Sequence, residues 1–285
     1  MTTLPPTAFG LGALPGTDFA QAADVVLSES PLPHIPQLPD RGVGSDLIGR
    51  TAAMLEIPVA RGPRGWRVAA GASKDADRME RDLDQLEELW HGKTDTVKVQ
   101  LAGPFTLATE IEMSNGHRMI TDPGALRDLT DALLEVCVGH RRDVEKRFGE
   151  SVLQLDEPRL PEVVAGTLKG ATDFETIRAI PEPEETLARF GEHLLHAPLL
   201  LDVPWFTTDP RTADKDALAR LLDGGARIAI PTMEPRELYR VFDELQIDPA
   251  ATTVDVYAEP TPTLMGTAVN YRAAREMSQA LTVGV

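Results

Sequence analysis

The chain carries a single cysteine, Cys137, in 285 residues. One thiol excludes an intrachain disulfide and any metal site that needs two thiolates from this chain, and it fits a reducing, cytoplasmic setting. Positive charge is also scarce: 28 Lys and Arg face 45 Asp and Glu, a formal net charge of −17. General nucleic-acid binders and anionic-membrane binders need a basic surface, so neither partner is expected. No apolar run approaches the ~18 residues of a membrane-spanning candidate. The opening MTTLPPTAFG lacks the basic and apolar regions of a secretory signal. None of the six histidines lies four residues from another, the helical spacing that puts two metal ligands on one face. His193 and His196, three apart on an expected helix, read as surface residues. There is no G-x-S-x-G elbow, and GLG at 10–12 is not followed by the further glycines of a dinucleotide loop.

What is present is ordinary soluble composition, 42% hydrophobic and 26% charged, with short apolar runs alternating with helical patterns. Strands are expected at 7–14, 32–36, 97–102, 152–156, 199–203, 226–231 and 254–257, with a peripheral hairpin at GWRVAAG, 65–71. Asp18 reads as the cap of a helix along FAQAADVVLSE, and Ser73 as the cap of one running to His91. Thr121-Asp122-Pro123 opens a third, which Phe148-Gly149 ends, with Cys137 buried mid-helix as a small hydrophobe. Its last turns carry Arg141, Arg142, Lys146 and Arg147, read as a solvated end favoured by the helix dipole. Segments 183–196, 214–223 and 235–246 also read as helical. Near-continuously apolar strands alternating with helices predict a parallel sheet inside a helical layer. About seven such units suit one (β/α)8 TIM-type barrel over 1–285, with one βα unit reduced or missing; an open α/β sheet is the alternative.

Several strands end in polar or turn-forming residues followed by proline, among them LAGPFT, LDEPRL and VYAEPTPT. In a parallel barrel such ends converge on one face, where binding groups collect. Asp156 and Glu157 of LDEP alternate sides of the strand, so one of them is expected to face the axis. That carboxylate either accepts from a ligand ammonium, acts as an acid or base, or pairs structurally with Arg159 or a neighbouring strand. Trp205 and Phe206 are candidates to line a pocket for a flat ligand, or to pack under a loop.

FGLGALPGTD, LPHIPQLPDRGVGSDLIGRTAAML, VQLAGPFTLATE, LQLDEPRLPEVVAGTL and TPTLMGTA occur in that order. Together they resemble the catalytic C-terminal barrel of cobalamin-independent methionine synthase, and more closely its short, single-barrel actinobacterial relatives, in the superfamily shared with uroporphyrinogen decarboxylase. The resemblance spans about residues 7–282. It implies a mouth that holds homocysteine on zinc as a thiolate and receives a methyl group from methyltetrahydrofolate. The family's zinc ligands are a His-x-Cys pair, a glutamate and a late cysteine at strand ends.

This chain departs from that pattern at each ligand. Leu264 stands at the late cysteine, Asp202 and Pro204 of LLLDVPW at the His-x-Cys pair, and Pro231 at the glutamate; an alternative register makes LLLDVPW the glutamate strand. Where the family binds the amino-acid substrate, Ala13 beside Gly12 replaces a serine and Gln37 replaces a glutamate, while Asp156 matches the retained aspartate. With Leu264 and Met265 in that position, an apolar pocket floor is expected. The expectation is a methionine-synthase-like chain with no zinc or folate cofactor that binds a small ligand or a protein partner, a second copy included, through Gly12, Ala13, Gln37, Asp156, Asp202 and Trp205. The alternatives are an active methyltransferase of methionine or one-carbon metabolism with an altered site, and an enzyme that uses Asp156 as acid or base.

Overall fold

A computed structural model describes residues 4–55, 57–69, 76–170 and 176–283. Its strands are β1 (Ala8–Gly10), β2 (Val59–Gly62), β3 (Gly65–Val68), β4 (Thr96–Ala102), β5 (Ile111–Glu112), β6 (Glu150–Asp156), β7 (Leu194–His196), β8 (Trp205–Thr207), β9 (Arg227–Pro231) and β10 (Val254–Ala258). Seven of them form one parallel sheet in the order β1-β10-β9-β8-β7-β6-β4. The helices are α1 (Phe19–Glu29), α2 (Leu47–Met54), α3 (Ala76–Trp90), α4 (Pro104–Glu110), α5 (Pro123–Phe148), α6 (Leu160–Ala165), α7 (Glu184–Ala188), α8 (Lys215–Asp223), α9 (Pro235–Leu245) and α10 (Leu264–Val283).

The sheet is curled. Phe9, Val152, Leu194, Trp205, Ala229 and Tyr257 come from six of its strands and, with Leu32, pack into one apolar cluster. Side chains from strands that far apart meet only if the sheet bends around them. Alternate residues along the sheet, such as Val97 and Val99 of β4, Leu153 and Leu155 of β6 and Ile228 of β9, face a second, larger core shared with the helices.

Residues 32–37 lie between the two edge strands without forming a regular ladder. Leu32 donates to the Ala8 carbonyl (3.2 Å) on the β1 side, and Lys98 donates to Pro33 (2.8 Å) and Ile35 to Lys98 (3.2 Å) on the β4 side. Pro33 and Pro36 have no amide hydrogen, so this segment makes only isolated bridges, His34 with Lys98 and Ala13 with Gln37.

Most helix signals hold. Asp18 caps α1 by accepting from Gln21 N, and Asp122 caps α5, which ends at Gly149. Cys137 is buried in α5, as expected. At the end of α5, Arg147 is not merely solvated but pairs with Asp84, Glu87 and Asp143. A hairpin forms earlier than expected: β2 pairs antiparallel with β3, so GWRV is its second strand, flanked by β5; residues 70 and 71 of the expected span, and the expected cap Ser73, lie outside the described residues.

Two expectations are overturned together. Residues 183–196 are not one helix, because α7 covers only Glu184–Ala188 and the chain then enters β7. Residues 199–203 are not a strand but the crossing from β7 to β8, and no helix intervenes there. Leu201 and Val203 of that crossing are buried in the outer core, where they cover the sheet as a helix would elsewhere. Their burial explains why the run is apolar without being a strand.

Candidate functional site

All seven strands run parallel, so their C-terminal ends gather at one mouth. On β4, Lys98 and Gln100 point inward, and β6 contributes Gln154 and Asp156 beside them, with Gln100 in register with Gln154. All four are buried. Lys98 Nζ donates to Gln154 Oε1. Gln154 Nε2 donates in turn to Asp156 Oδ1 (2.7 Å) and to the Leu11 carbonyl (2.8 Å), tying both strands to the chain that leaves β1. The ammonium also lies 5.3 Å from the ring centroid of Phe9.

Turning the Gln100 amide so that its nitrogen faces the Ile35 carbonyl (3.3 Å) lets its oxygen accept from Lys98 Nζ (3.2 Å) and His34 Nδ1 (3.1 Å). His34 Nε2 then accepts from the Tyr271 hydroxyl at 2.8 Å. That approach depends on Gly10, since a Cβ there would sit 1.9 Å from the Tyr271 oxygen and 2.7 Å from His34 Nε2. Burial, reinforced by Lys98, depresses His34 to about 3, so the ring is neutral with its proton on Nδ1.

On the neighbouring strand, His196 ends β7 in register with Asp156, and its Nδ1 lies 2.9 Å from Thr207 Oγ1 on β8. Burial first and Lys98 second depress His196 to about 4. Burial raises the Asp156 carboxyl and lowers the Lys98 ammonium, while the attraction between the two opposes both shifts. The mouth therefore presents amides, a neutral imidazole and hydroxyls around the buried Lys98 and Asp156, which the Gln154 amide joins.

Glu157 faces the opposite side. Its carboxylate accepts from Phe105 N (3.0 Å), Thr106 N (2.7 Å) and Thr106 Oγ1 (2.6 Å). It thus caps α4 from a neighbouring strand, since Gly103 at the cap position makes no side-chain bond. Burial raises the Glu157 carboxyl, and these three donors pull it back down. Arg159, the expected partner of the acidic pair, binds Glu110 and Glu162 instead.

Of the six residues singled out from the sequence, four meet here. The Gly12 carbonyl accepts from Gln37 N (3.0 Å), Ala13 bridges Gln37, and Gln37 Nε2 reaches the Gln100 carbonyl (3.5 Å), one strand from Asp156. Asp202 lies exposed on the β7–β8 crossing, and the strand end that the sequence placed there belongs to His196. Trp205 opens β8 at the other end of the sheet, under the guanidinium of Arg227 (4.5 Å to the ring centroid). There it lines a cavity of about 190 Å3 with Leu4, Ser151 and Val152, away from the mouth. Arg227 forms a two-bond ion pair with the buried Asp255 at that end (2.7 Å each).

Sequence reading missed Lys98, Gln100, Gln154 and His196. It held a usable signal for three of them: KVQLA and LQLD each place polar residues two apart in an otherwise apolar strand. His193 and His196, read as surface residues, are both sequestered; His193 is buried with Nδ1 2.8 Å from the Gly191 carbonyl.

The residues at the mouth do not fit a tetrahedral zinc. Pro231 carries no donor, Leu264 opens α10 with a hydrocarbon side chain, and Met265 is 80% exposed and floors no pocket. Among the described residues no three His, Cys, Asp or Glu side chains converge as a metal site. No family model matches the chain, and no curated protein matches it. Among the described residues no helix is long and apolar enough to cross a membrane.

Proposed function

We propose that the chain is a cytoplasmic (β/α)8-type barrel of methionine-synthase kind whose mouth binds a small polar ligand without zinc-held thiolate chemistry. The observation that carries this reading is the set Gln37, Gln100, Gln154 and Asp156 beside the Gly12–Ala13 loop: Gln37 bonds to the Gln100 carbonyl, Gln154 bonds to Asp156, and Lys98 joins the Gln100 and Gln154 side chains. Residues 32–37 serve as the eighth stave, because they bond to both edges of the seven-stranded sheet. The reduced unit is the fifth, where the crossing after β7 carries no helix. The amide-rich lining suits ligand groups that both donate and accept hydrogen bonds, such as the backbone-like ends of an amino acid.

Thermal shift with L-methionine, L-homocysteine and 5-methyltetrahydrofolate as probes tests the reading. Stabilisation by an amino acid that disappears in Asp156→Asn is the expected result. Zinc-dependent methylation of homocysteine by the purified protein would overturn it. A second reading, acid–base chemistry by Asp156, is favoured by the neutral His196 that stands in register with it.

A further inference from the structure

Helix α5 turns Leu129, Leu133, Cys137, Val144 and Phe148 into the core. On its other face Asp128, Asp131, Glu135, Val138, Arg142 and Lys146 recur three or four residues apart and form an exposed stripe. Val138, at the centre of the stripe, is 52% exposed. Beside it stands Gly139, exposed in the helix interior, where glycine weakens a helix relative to alanine. A Cβ at 139 would meet nothing within 4 Å among the described residues, so packing within the chain does not call for a glycine there. Close approach of a second backbone does.

The charges of the stripe select the occupant. It is acidic before Val138, at Asp128, Asp131 and Glu135, and basic after Gly139, at Arg142 and Lys146, so it complements its own reversed copy. A two-fold axis at right angles to α5, passing between Val138 and Gly139, sets residues equally far from that point opposite one another. Glu135 then meets Arg142 and Asp131 meets Lys146, and the symmetry forms each pair twice. Within the chain Arg141 takes Glu145 and Arg147 takes Asp143, which leaves Glu135 and Arg142 without an ion-pair partner among the described residues. Asp131 already holds Arg189 (2.6 Å), so Glu135 with Arg142 is the pair that sets the register.

We propose that the exposed stripe of α5 is a two-fold interface with a second copy of this chain, closest at Val138 and Gly139 and registered by Glu135 against Arg142. The inference does not depend on what the mouth binds. Across the axis the Val138 side chain lies against the bare backbone of Gly139. On either flank of this ridge runs a groove with apolar lining, about 300 Å3 along Leu134, Cys137 and Phe190 and about 560 Å3 along Met54, Met79 and Val136. Two copies of net charge −17 repel at long range, so contact between them needs a locally matched surface of this kind.

Sedimentation velocity of the full chain over a concentration series tests the interface. The wild type is expected to dimerise reversibly. Glu135→Arg and Arg142→Glu each set like charges across the axis twice, and each should raise the dissociation constant about tenfold or more. Mixed one to one, the two variants are opposite in charge at both contacts and should form a mixed dimer, which a folding defect in either would not produce. Gly139→Leu points into open space in the single chain, so it should leave the thermal unfolding midpoint of the monomer no lower while abolishing the dimer. A wild type that stays monomeric throughout the series would overturn the proposal. So would a dimer that neither the charge reversals nor Gly139→Leu weakens, or one weakened by the reversals and not restored by mixing them.

Discussion

Glu157 and Gly103 form one local device: the carboxylate occupies the space a side chain at 103 would need. A Cβ on Gly103 would lie 2.2 Å from Glu157 Oε1, so Gly103→Ala must push the cap off the first turn of α4. Glu157→Gln keeps the shape but turns an acceptor-only group partly into a donor facing two N–H groups. It should cost about 1.5–3 kcal/mol in urea unfolding, the range for hydrogen bonds to a charged group. The Lys98–Asp156 pair makes a sharper test. Lys98→Met alone leaves a buried carboxylate without its cation, and Asp156→Asn alone leaves the cation. Each should destabilise by about 3–5 kcal/mol, whereas the double variant should recover much of that. Additive losses in the double variant would mean that the two groups do not act on each other.

At the scale of elements, the crossing from β7 to β8 takes the place of a helix. Leu201 is buried there, so Leu201→Ala should cost about 2–5 kcal/mol by chemical denaturation. An exposed loop leucine would cost almost nothing. This is also where the sequence misled: three-residue strands such as β7 and β8 carry too little pattern to register, and the longer apolar run beside them attracted the strand assignment. Helices α1 and α5 were legible because Asp18, Asp122-Pro123 and Gly149 mark their ends with local chemistry. Gly12, Ala13, Gln37 and Asp156 were legible as loop and strand-end residues. His196 owes its role to burial beside a strand distant in sequence, which spacing alone does not reveal.

For the whole molecule, whose formal net charge is −17, the buried histidines shape the response to acid. His34 and His196 are held neutral in the fold, depressed from an ordinary 6.5 to about 3 and about 4. Unfolding lets them take up protons, so their contribution is intact above pH 6.5. It falls as the pH drops toward 4 for His196 and 3 for His34. His34→Gln removes one titrating ring, and unfolding free energy measured from pH 7 to pH 4.5 should then show a shallower loss. An unchanged slope would place the acid sensitivity elsewhere.

The central claim is that the mouth works around Asp156 without a metal. Elemental analysis of the protein purified from zinc-supplemented medium tests it most directly. A zinc-free mouth predicts only trace zinc, the same in wild type and in Asp156→Asn and His196→Ala. Stoichiometric zinc that is lost in either variant would contradict it.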